Sequence, residues 1–178
     1  MNHHTGQTLY ECLCVVASTA IILAQALPIG TTLIAHHARI TAMNSLSSCL
    51  ARARLTAISH HESVTMCPSS NGATCRQDTD WSHGWILLRG SLHDSKRIAP
   101  KSIILYEPLR TQLTILSTPG RTAIQFLPDG RSAGSNLRLQ FCAERTLVGE
   151  MRVNNLGRVR SNPVKPTSPC EARDAQPT

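Results

Sequence analysis

Aromatic residues and lysine are both scarce in this sequence. The chain of 178 residues contains two Trp, two Tyr and two Phe. This excludes proteins that bind single-stranded nucleic acid by stacking bases on several exposed rings. Three of the 18 basic residues are Lys, so the other 15 are Arg, and the net charge is +7. Because arginine favours bidentate contacts with phosphate or carboxylate, the sequence indicates an anionic partner.

Motifs of catalysis and cofactor binding are also missing. There is no Walker loop, no dinucleotide fingerprint and no pair of catalytic carboxylates. Residues 130–134 match the G-x-S-x-G hydrolase pattern, but that elbow needs a strand before it and a helix after it, and here a Pro-Asp-Gly turn precedes it. Cys67, Cys75 and His83 do not have a usual zinc spacing. We therefore predict no enzyme activity, no metal site and no cofactor.

One long segment near the start has no charge. From Cys12 to Leu27, 13 of 16 residues are apolar, and none is charged. The 19 residues from Leu9 to Leu27 would form a helix of about 28 Å, close to the hydrocarbon thickness of a bilayer. The segment predicts a membrane helix. The alternatives are a buried helix of a soluble core and a secretory signal peptide, although residues 1–6 contain no Lys or Arg.

Glu11 is a carboxylate just inside this apolar segment, where charged residues usually have a partner and a function. Gly6 and Gln7 precede it, and Pro28 follows the apolar run. This arrangement resembles the class III leader of type IV pilins and pseudopilins. The resemblance implies that a prepilin peptidase cuts between Gly6 and Gln7, and that Gln7 is then N-methylated. It also implies that Glu11 neutralises the amino terminus of a neighbouring subunit during assembly. The alternative is a carboxylate that merely reaches water at a helix end.

The segment 31–59 contains no Gly or Pro, and its apolar residues recur near helical spacing. It predicts an amphipathic helix that continues the apolar one, with Pro28 causing a kink or a local melt between them. The apolar face should pack on a folded head. The residues of that predicted face are Leu33, Ile40, Met43, Leu46, Leu50 and Ile58.

After residue 61 the sequence changes to short β-type runs separated by turn signals. These runs predict antiparallel sheets packed on the helix, which is an α+β fold. The segment 161–178 contains four prolines and predicts a loop. The predicted strands are Ser63–Cys67, Trp85–Arg89, Ser102–Tyr106, Gln112–Ser117, Thr122–Leu127, Asn136–Cys142 and Thr146–Val153.

Four motifs occur in a characteristic order: a Cys-Pro turn after a strand in 64–75, Trp-Ser-His-Gly-Trp in 81–85, a Pro-Asp-Gly turn in 126–130, and Gly-Arg-Val-Arg in 157–160. Together with the leader they resemble the GspH/FimT family of minor pilins and pseudopilins, over most of residues 6–160. The resemblance implies a pilin-like fold, with a long N-terminal helix packed on an antiparallel β-sheet or β-sandwich head. The implied segments are a leader (1–6), a membrane and filament-core helix (7–29), an amphipathic stem (30–61), a β-rich periplasmic head (62–160) and a tail (161–178).

The resemblance also bears on the seven cysteines, because an exported head meets an oxidising periplasm where disulfides persist. We expect a disulfide between Cys67 and Cys75, and a second one between Cys142 and Cys170. Two further cysteines, at positions 12 and 14, lie in the apolar helix and should stay reduced. The seventh, at position 49, is left over.

Arginine is concentrated toward the end of the chain. Residues 131–160 hold six Arg and two Glu, a net charge of +4. The alternative to a function is a solvated basic face. The functional interpretation is a phosphate-binding patch, because Gly157-Arg158-Val159-Arg160 is similar to a motif of FimT-like pilins, some of which are implicated in DNA uptake. If this segment is extended, Arg158 and Arg160 lie about 7 Å apart on one face. The patch would comprise Arg138, Arg145, Arg152, Arg158 and Arg160.

Two functions therefore remain open. The first is a minor pilin that contributes to type IV pilus assembly and binds extracellular double-stranded DNA without sequence preference. The second is a minor pseudopilin of a type II secretion system with no DNA-binding role. Both imply a single-pass inner-membrane protein of a Gram-negative bacterium, with its head in the periplasm until it joins a pilus or pseudopilus. Both also imply other pilins or pseudopilins and a prepilin peptidase as partners.

Overall fold

The computed structural model describes residues 9–91, 102–109, 111–164 and 169–170. In these ranges the chain forms one long helix followed by eight strands. The elements are α1 (Leu9–His60), β1 (Val64–Pro68), β2 (Gly84–Arg89), β3 (Ile103–Pro108), β4 (Thr114–Ser117), β5 (Ile124–Phe126), β6 (Leu137–Ala143), β7 (Thr146–Val153) and β8 (Val159–Pro163).

The chain divides into two units, residues 1–37 and residues 38–178. The described part of the first unit is helical, and Leu9, Leu13 and Ile22 are among its exposed large apolar side chains. In the described ranges, no helix reaches the length and apolar content that crossing a membrane requires.

Helix α1 continues through Pro28, so of the two outcomes predicted at this proline, a kink or a local melt, the local melt does not occur. A proline removes a single N–H donor, and the helical hydrogen bonds on either side of it can remain. The helix ends at His60 in a Schellman motif. His61 has a positive φ of 51°, its N–H bonds to the carbonyl of Ile58, and the N–H of Glu62 bonds to the carbonyl of Ala57. The motif terminates α1 and directs the chain into β1.

The strands form two four-stranded antiparallel sheets. Sheet A has the order β3-β2-β1-β5 and sheet B the order β4-β6-β7-β8. The α+β prediction is confirmed, and each of the seven predicted strands overlaps an observed one. The eighth, β8, was not predicted, and it extends to Pro163 inside the segment predicted as a loop. The sequence Val-Arg-Ser-Asn-Pro has one apolar residue apart from its proline, so it lacks the pattern of a strand that covers a core.

The hydrophobic core of the second unit lies between α1 and the two sheets. Three of the seven core residues that α1 contributes are alanines, which permit close approach of the strands. Ile40 and Ile58, predicted to lie on the apolar face, are exposed instead, because the buried face is centred on positions 42, 46, 50, 53 and 57. Leu33 belongs to the first unit and is also exposed. The helix contributes Ala42, Met43, Leu46, Cys49, Leu50, Ala53 and Ala57 to the core.

Sheet A also has a small apolar cluster on its other face. Cys67 of β1 and Ile86 and Leu88 of β2 are buried there, with Cys75 and Ala123 packed against them. This explains why all five residues of β1 are buried, since both faces of the strand are covered. The loop that follows β1 therefore acts as a cover for this second cluster.

Candidate functional site

Three arginines lie side by side on sheet B. Arg138 of β6 pairs in register with Arg152 of β7, and Arg152 pairs with Arg160 of β8. Residues paired across antiparallel strands project from the same face of the sheet, and neighbouring strands are about 4.8 Å apart. We call Arg138, Arg152 and Arg160 the arginine row. It spans about 10 Å across three adjacent strands.

The row faces solvent. Arg152 and Arg160 are exposed and Arg138 is half-buried, whereas their strand neighbours Leu139 and Met151 belong to the core. The alternation along β6 and β7 thus separates an apolar inner face from the face that bears the arginines. The sequence places the positive charges on a surface that a large anion can reach.

Arg158 adds a fourth guanidinium immediately before β8, and its side chain is exposed. Its backbone is held at the end of the β7–β8 turn. The Arg158 N–H donates to the Asn154 side-chain oxygen at 2.9 Å, and the Asn154 N–H donates to the Arg158 carbonyl at 3.1 Å. Along an extended segment, residues 158 and 160 are about 7 Å apart.

Arg145 does not join the other arginines. It lies in the two-residue turn between β6 and β7, where Glu144 and Arg145 both have positive φ. That turn is seven residues from Arg138, which corresponds to about 23 Å along a strand. The predicted patch therefore loses this member, because the hairpin carries Arg145 to the opposite end of the sheet.

Glu150 is a member of the site that the sequence analysis missed. It lies two residues before Arg152 on the same face of β7, and its carboxylate accepts a hydrogen bond from Arg152 Nε. This contact raises the pKa of Arg152. The Arg152 side chain is 63% exposed and that of Glu150 is 11% exposed. The spacing of two residues between Glu150 and Arg152 on a strand is the sequence signal that places both side chains on one face.

Gly157 has a structural role in the Gly-Arg-Val-Arg motif. It is buried and has a φ of +72°. A Cβ at this position would come 2.2 Å from the carbonyl oxygen of Gly130, and the Gly157 carbonyl accepts a hydrogen bond from Arg54 of α1 at 3.2 Å. The glycine thus joins the β7–β8 turn to α1 and to the β5–β6 loop, and this junction fixes the start of β8.

The row has no aromatic neighbour for base stacking among the described residues. Trp81, Trp85, Phe126 and Phe141 are buried in the core. The two tyrosines lie elsewhere, on β3 of sheet A and near the start of α1. The arrangement can pair with phosphates but offers no platform for bases.

The G-x-S-x-G segment lies in a loop between β5 and β6, so a strand follows it rather than a helix. Ser132 is buried, and its N–H donates to the carbonyl of Asn155 at 3.0 Å. This geometry does not expose the serine as a hydrolase elbow does. Among the described residues, no three His, Cys, Asp or Glu side chains come together as metal ligands would.

The structure contains two disulfides, Cys67–Cys75 and Cys142–Cys170, with Cα separations of 5.6 and 6.1 Å. The first closes a loop that is held internally by Asn71, whose side-chain oxygen accepts from the N–H groups of Ala73 and Thr74. The second fixes Pro169-Cys170 next to β7, where the Cys170 N–H donates to the Arg145 carbonyl.

Three cysteines are free: Cys12 and Cys14, both exposed, and Cys49, which is buried. Burial raises the pKa of the Cys49 thiol, against a smaller opposing effect of the neighbouring Trp85 side chain. Because the thiolate is the reactive form, Cys49 is poorly placed to exchange with the two disulfides.

The residues of the predicted leader site are only partly described. Glu11 lies in the first turn of α1, where a carboxylate interacts favourably with the helix dipole. Gly6 and Gln7 lie outside the described residues.

A long N-terminal helix followed by two antiparallel sheets is the fold of pilin-type subunits. Two crystal structures of the type IV minor pilin FimU of Pseudomonas aeruginosa (strain PAO1), in space groups P65 and P21, match it with TM-scores of 0.53 and 0.54. Sequence identities are 16% and 17%, each match covers 69% of this chain, and the shares of the FimU chains are 91% and 87%. No curated protein sequence matches the chain significantly. The chain belongs to the family of the type II transport protein GspH, whose family model matches residues 42–157.

Proposed function

We propose that this chain is a minor pilin that contributes to type IV pilus assembly and binds extracellular double-stranded DNA through the arginine row and Arg158. The observation that carries the proposal is the register that places Arg138, Arg152 and Arg160 side by side on one face. The arginines of the row are about 5 Å apart from strand to strand, and Arg158 lies immediately before the strand that bears Arg160, about 7 Å away along an extended segment. Such a cluster can contact successive phosphates of one DNA strand.

The chemistry of the face determines the kind of binding. Guanidinium groups pair with phosphates bidentately, and contacts to phosphate carry no sequence information by themselves. Without rings for base stacking near the row, affinity depends on charge alone. Binding should therefore be independent of sequence. We expect a logarithmic salt slope of about −3, because the four arginines and the Glu150 carboxylate paired with Arg152 carry a net charge of three.

Replacing two exposed arginines tests this directly. We expect the double variant Arg158→Ala, Arg160→Ala to bind a random-sequence duplex roughly tenfold or more weakly at low salt, because two phosphate contacts are lost. The measurement is fluorescence anisotropy with the full chain in a neutral detergent. The control is Arg89→Ala, which removes an exposed arginine of sheet A. Equal DNA affinities of the wild type and the double variant would contradict the proposed DNA-binding function.

The pilin part of the proposal includes the leader. We propose that cleavage between Gly6 and Gln7, methylation of Gln7, and pairing of Glu11 with a neighbouring amino terminus prepare the chain for assembly with other pilins. In low dielectric, an ion pair between Glu11 and that terminus would select the correct register, since an unpaired charge there is costly. The first helical unit would serve as inner-membrane anchor before assembly in a Gram-negative envelope.

The leader is tested by the mass of the N-terminal peptide of protein extracted from membranes of cells with active prepilin peptidase. We expect a peptide that begins at Gln7 and carries one methyl group, and Gly6→Leu should abolish the cleavage. An intact Met1 terminus in the wild type would contradict the proposed processing.

The second candidate is a minor pseudopilin of a type II secretion system, which is favoured by the description of the matching family as a type II transport protein. It shares the leader, the helix and the assembly with similar subunits. It differs in giving the arginine row no role in DNA binding, so the anisotropy experiment separates the two candidates.

A further inference from the structure

Glu150 is an acidic residue within the basic face. In the register of sheet B it lies between Gln140 of β6 and Asn162 of β8, one pair of positions along from the arginine row. Both strand neighbours are neutral amides, and Glu150 forms an ion pair with Arg152. The carboxylate is thus a fixed, mostly buried negative charge next to three guanidinium groups.

We propose that Glu150 sets the anion affinity of the arginine row by holding Arg152 and cancelling one of its positive charges; this inference rests on the proposed DNA-binding function. Glu150 does not touch the ligand. It acts through Arg152, whose Nε is occupied by the carboxylate while the exposed end of the guanidinium stays available for phosphate.

The sign of the effect follows from charge. An anion that approaches Arg152 also meets the Glu150 carboxylate, which repels it and competes for the same guanidinium. Replacing the carboxylate by an amide of equal shape removes the repulsion, and the amide oxygen can still accept from Nε. The number of arginine side chains whose charge is neutralised by phosphate, rather than by a carboxylate of the protein, then rises by one.

The test compares wild type with Glu150→Gln, using the full chain in a neutral detergent and a random-sequence duplex at several salt concentrations. We expect Glu150→Gln to bind roughly threefold to tenfold more tightly at low salt, with a logarithmic salt slope steeper by about 0.9. Near-ultraviolet circular dichroism of the buried Trp81 and Trp85 checks that the core is unchanged. A side chain with only a structural role would not change the salt slope.

A matched control separates this effect from net charge. Glu62→Gln also removes a carboxylate paired with an arginine, Arg89 of sheet A at 3.2 Å, outside sheet B. We expect Glu62→Gln to bind as wild type does. Equal gains in both Gln variants, or no gain in Glu150→Gln, would overturn the role of Glu150.

A second pair of variants repeats the test without the ion pair. Arg152→Ala leaves the Glu150 carboxylate without its partner, so it should bind DNA less tightly than the double variant Arg152→Ala, Glu150→Gln. The opposite order would also overturn the inference. The proposed function fails separately: if wild type and Arg158→Ala, Arg160→Ala bind equally, no arginine site exists for Glu150 to adjust.

Discussion

Gly157→Ala is expected to lower the free energy of unfolding of the head by about 3 kcal/mol, because it combines backbone strain with a steric clash. A residue other than Gly at positive φ costs about 1 kcal/mol or more. The new Cβ would also lie 2.2 Å from the backbone oxygen of Gly130, and backbone cannot yield as a flexible side chain does. The β7–β8 turn must then move away from the β5–β6 loop and from Arg54.

Gly120→Ala is the matched control for this prediction. Gly120 has nearly the same φ, +75° against +72° for Gly157, but no atom lies within 4 Å of its Cβ position. Gly120→Ala should therefore show the strain alone, about 1 kcal/mol. Thermal unfolding followed by near-ultraviolet circular dichroism measures both. Equal melting temperatures for the two variants would mean that the Gly130–Gly157 junction does not stabilise the head.

DNA binding can be lost either because the binding face is displaced or because its arginines are removed, and the two kinds of variant differ in stability. Gly157→Ala should weaken binding together with stability, because the start of β8 shifts and carries Arg158 and Arg160 with it. Arg158→Ala, Arg160→Ala should weaken binding with the melting temperature unchanged, since both side chains are exposed.

Loss of the Cys67–Cys75 disulfide is the second large effect. In the chain-entropy model, a closed loop of this length stabilises a protein by about 2.6 kcal/mol. The loop also covers the cluster of Cys67, Ile86 and Leu88 on the outer face of sheet A. We therefore expect Cys67→Ala, Cys75→Ala to lower the free energy of unfolding by about 3 kcal/mol.

The control for the disulfide is Cys49→Ala, which also shortens a buried cysteine but breaks no covalent link. Its cost should be about 1 kcal/mol, the size of a small core deletion. Thermal unfolding in the presence and absence of a reductant provides the second measurement, because Cys49→Ala should still lose stability on reduction. If the double variant unfolds at the temperature of Cys49→Ala, the loop does not contribute as described.

Local sequence patterns predicted most of the fold. Short runs rich in apolar residues, with turn signals such as Pro-Ser-Ser-Asn-Gly and Pro-Asp-Gly between them, marked seven strands, since strand and turn preferences act over a few residues. The strand β8 was not predicted because an edge strand with solvent-exposed Arg160, Ser161 and Asn162 need not show alternating apolar and polar residues. The exposed Ile40 and Ile58 have the right spacing for a helix face, but tertiary packing decides which face is buried.

The arginine row could not be predicted in the same way. Its geometry depends on the register of β6, β7 and β8. The β6–β7 register follows from a two-residue turn at Glu144 and Arg145 and from a bulge between Phe141 and Cys142. The distribution of charge along the sequence indicated five arginines in this part of the chain. The strand register separates Arg145 from the others, aligns three of them across the sheet and places Glu150 next to them. This register depends on contacts between strands that are distant in sequence.

The most direct test of the central claim is an arginine footprint on the full chain. Phenylglyoxal modifies exposed guanidinium groups, and peptide mass spectrometry reports the modification of each one with and without a saturating short duplex. We predict that DNA protects Arg152, Arg158 and Arg160 and leaves Arg89 of sheet A as reactive as before. Equal reactivity of these three arginines in the presence and absence of bound DNA would contradict the claim that this face of sheet B is the binding surface.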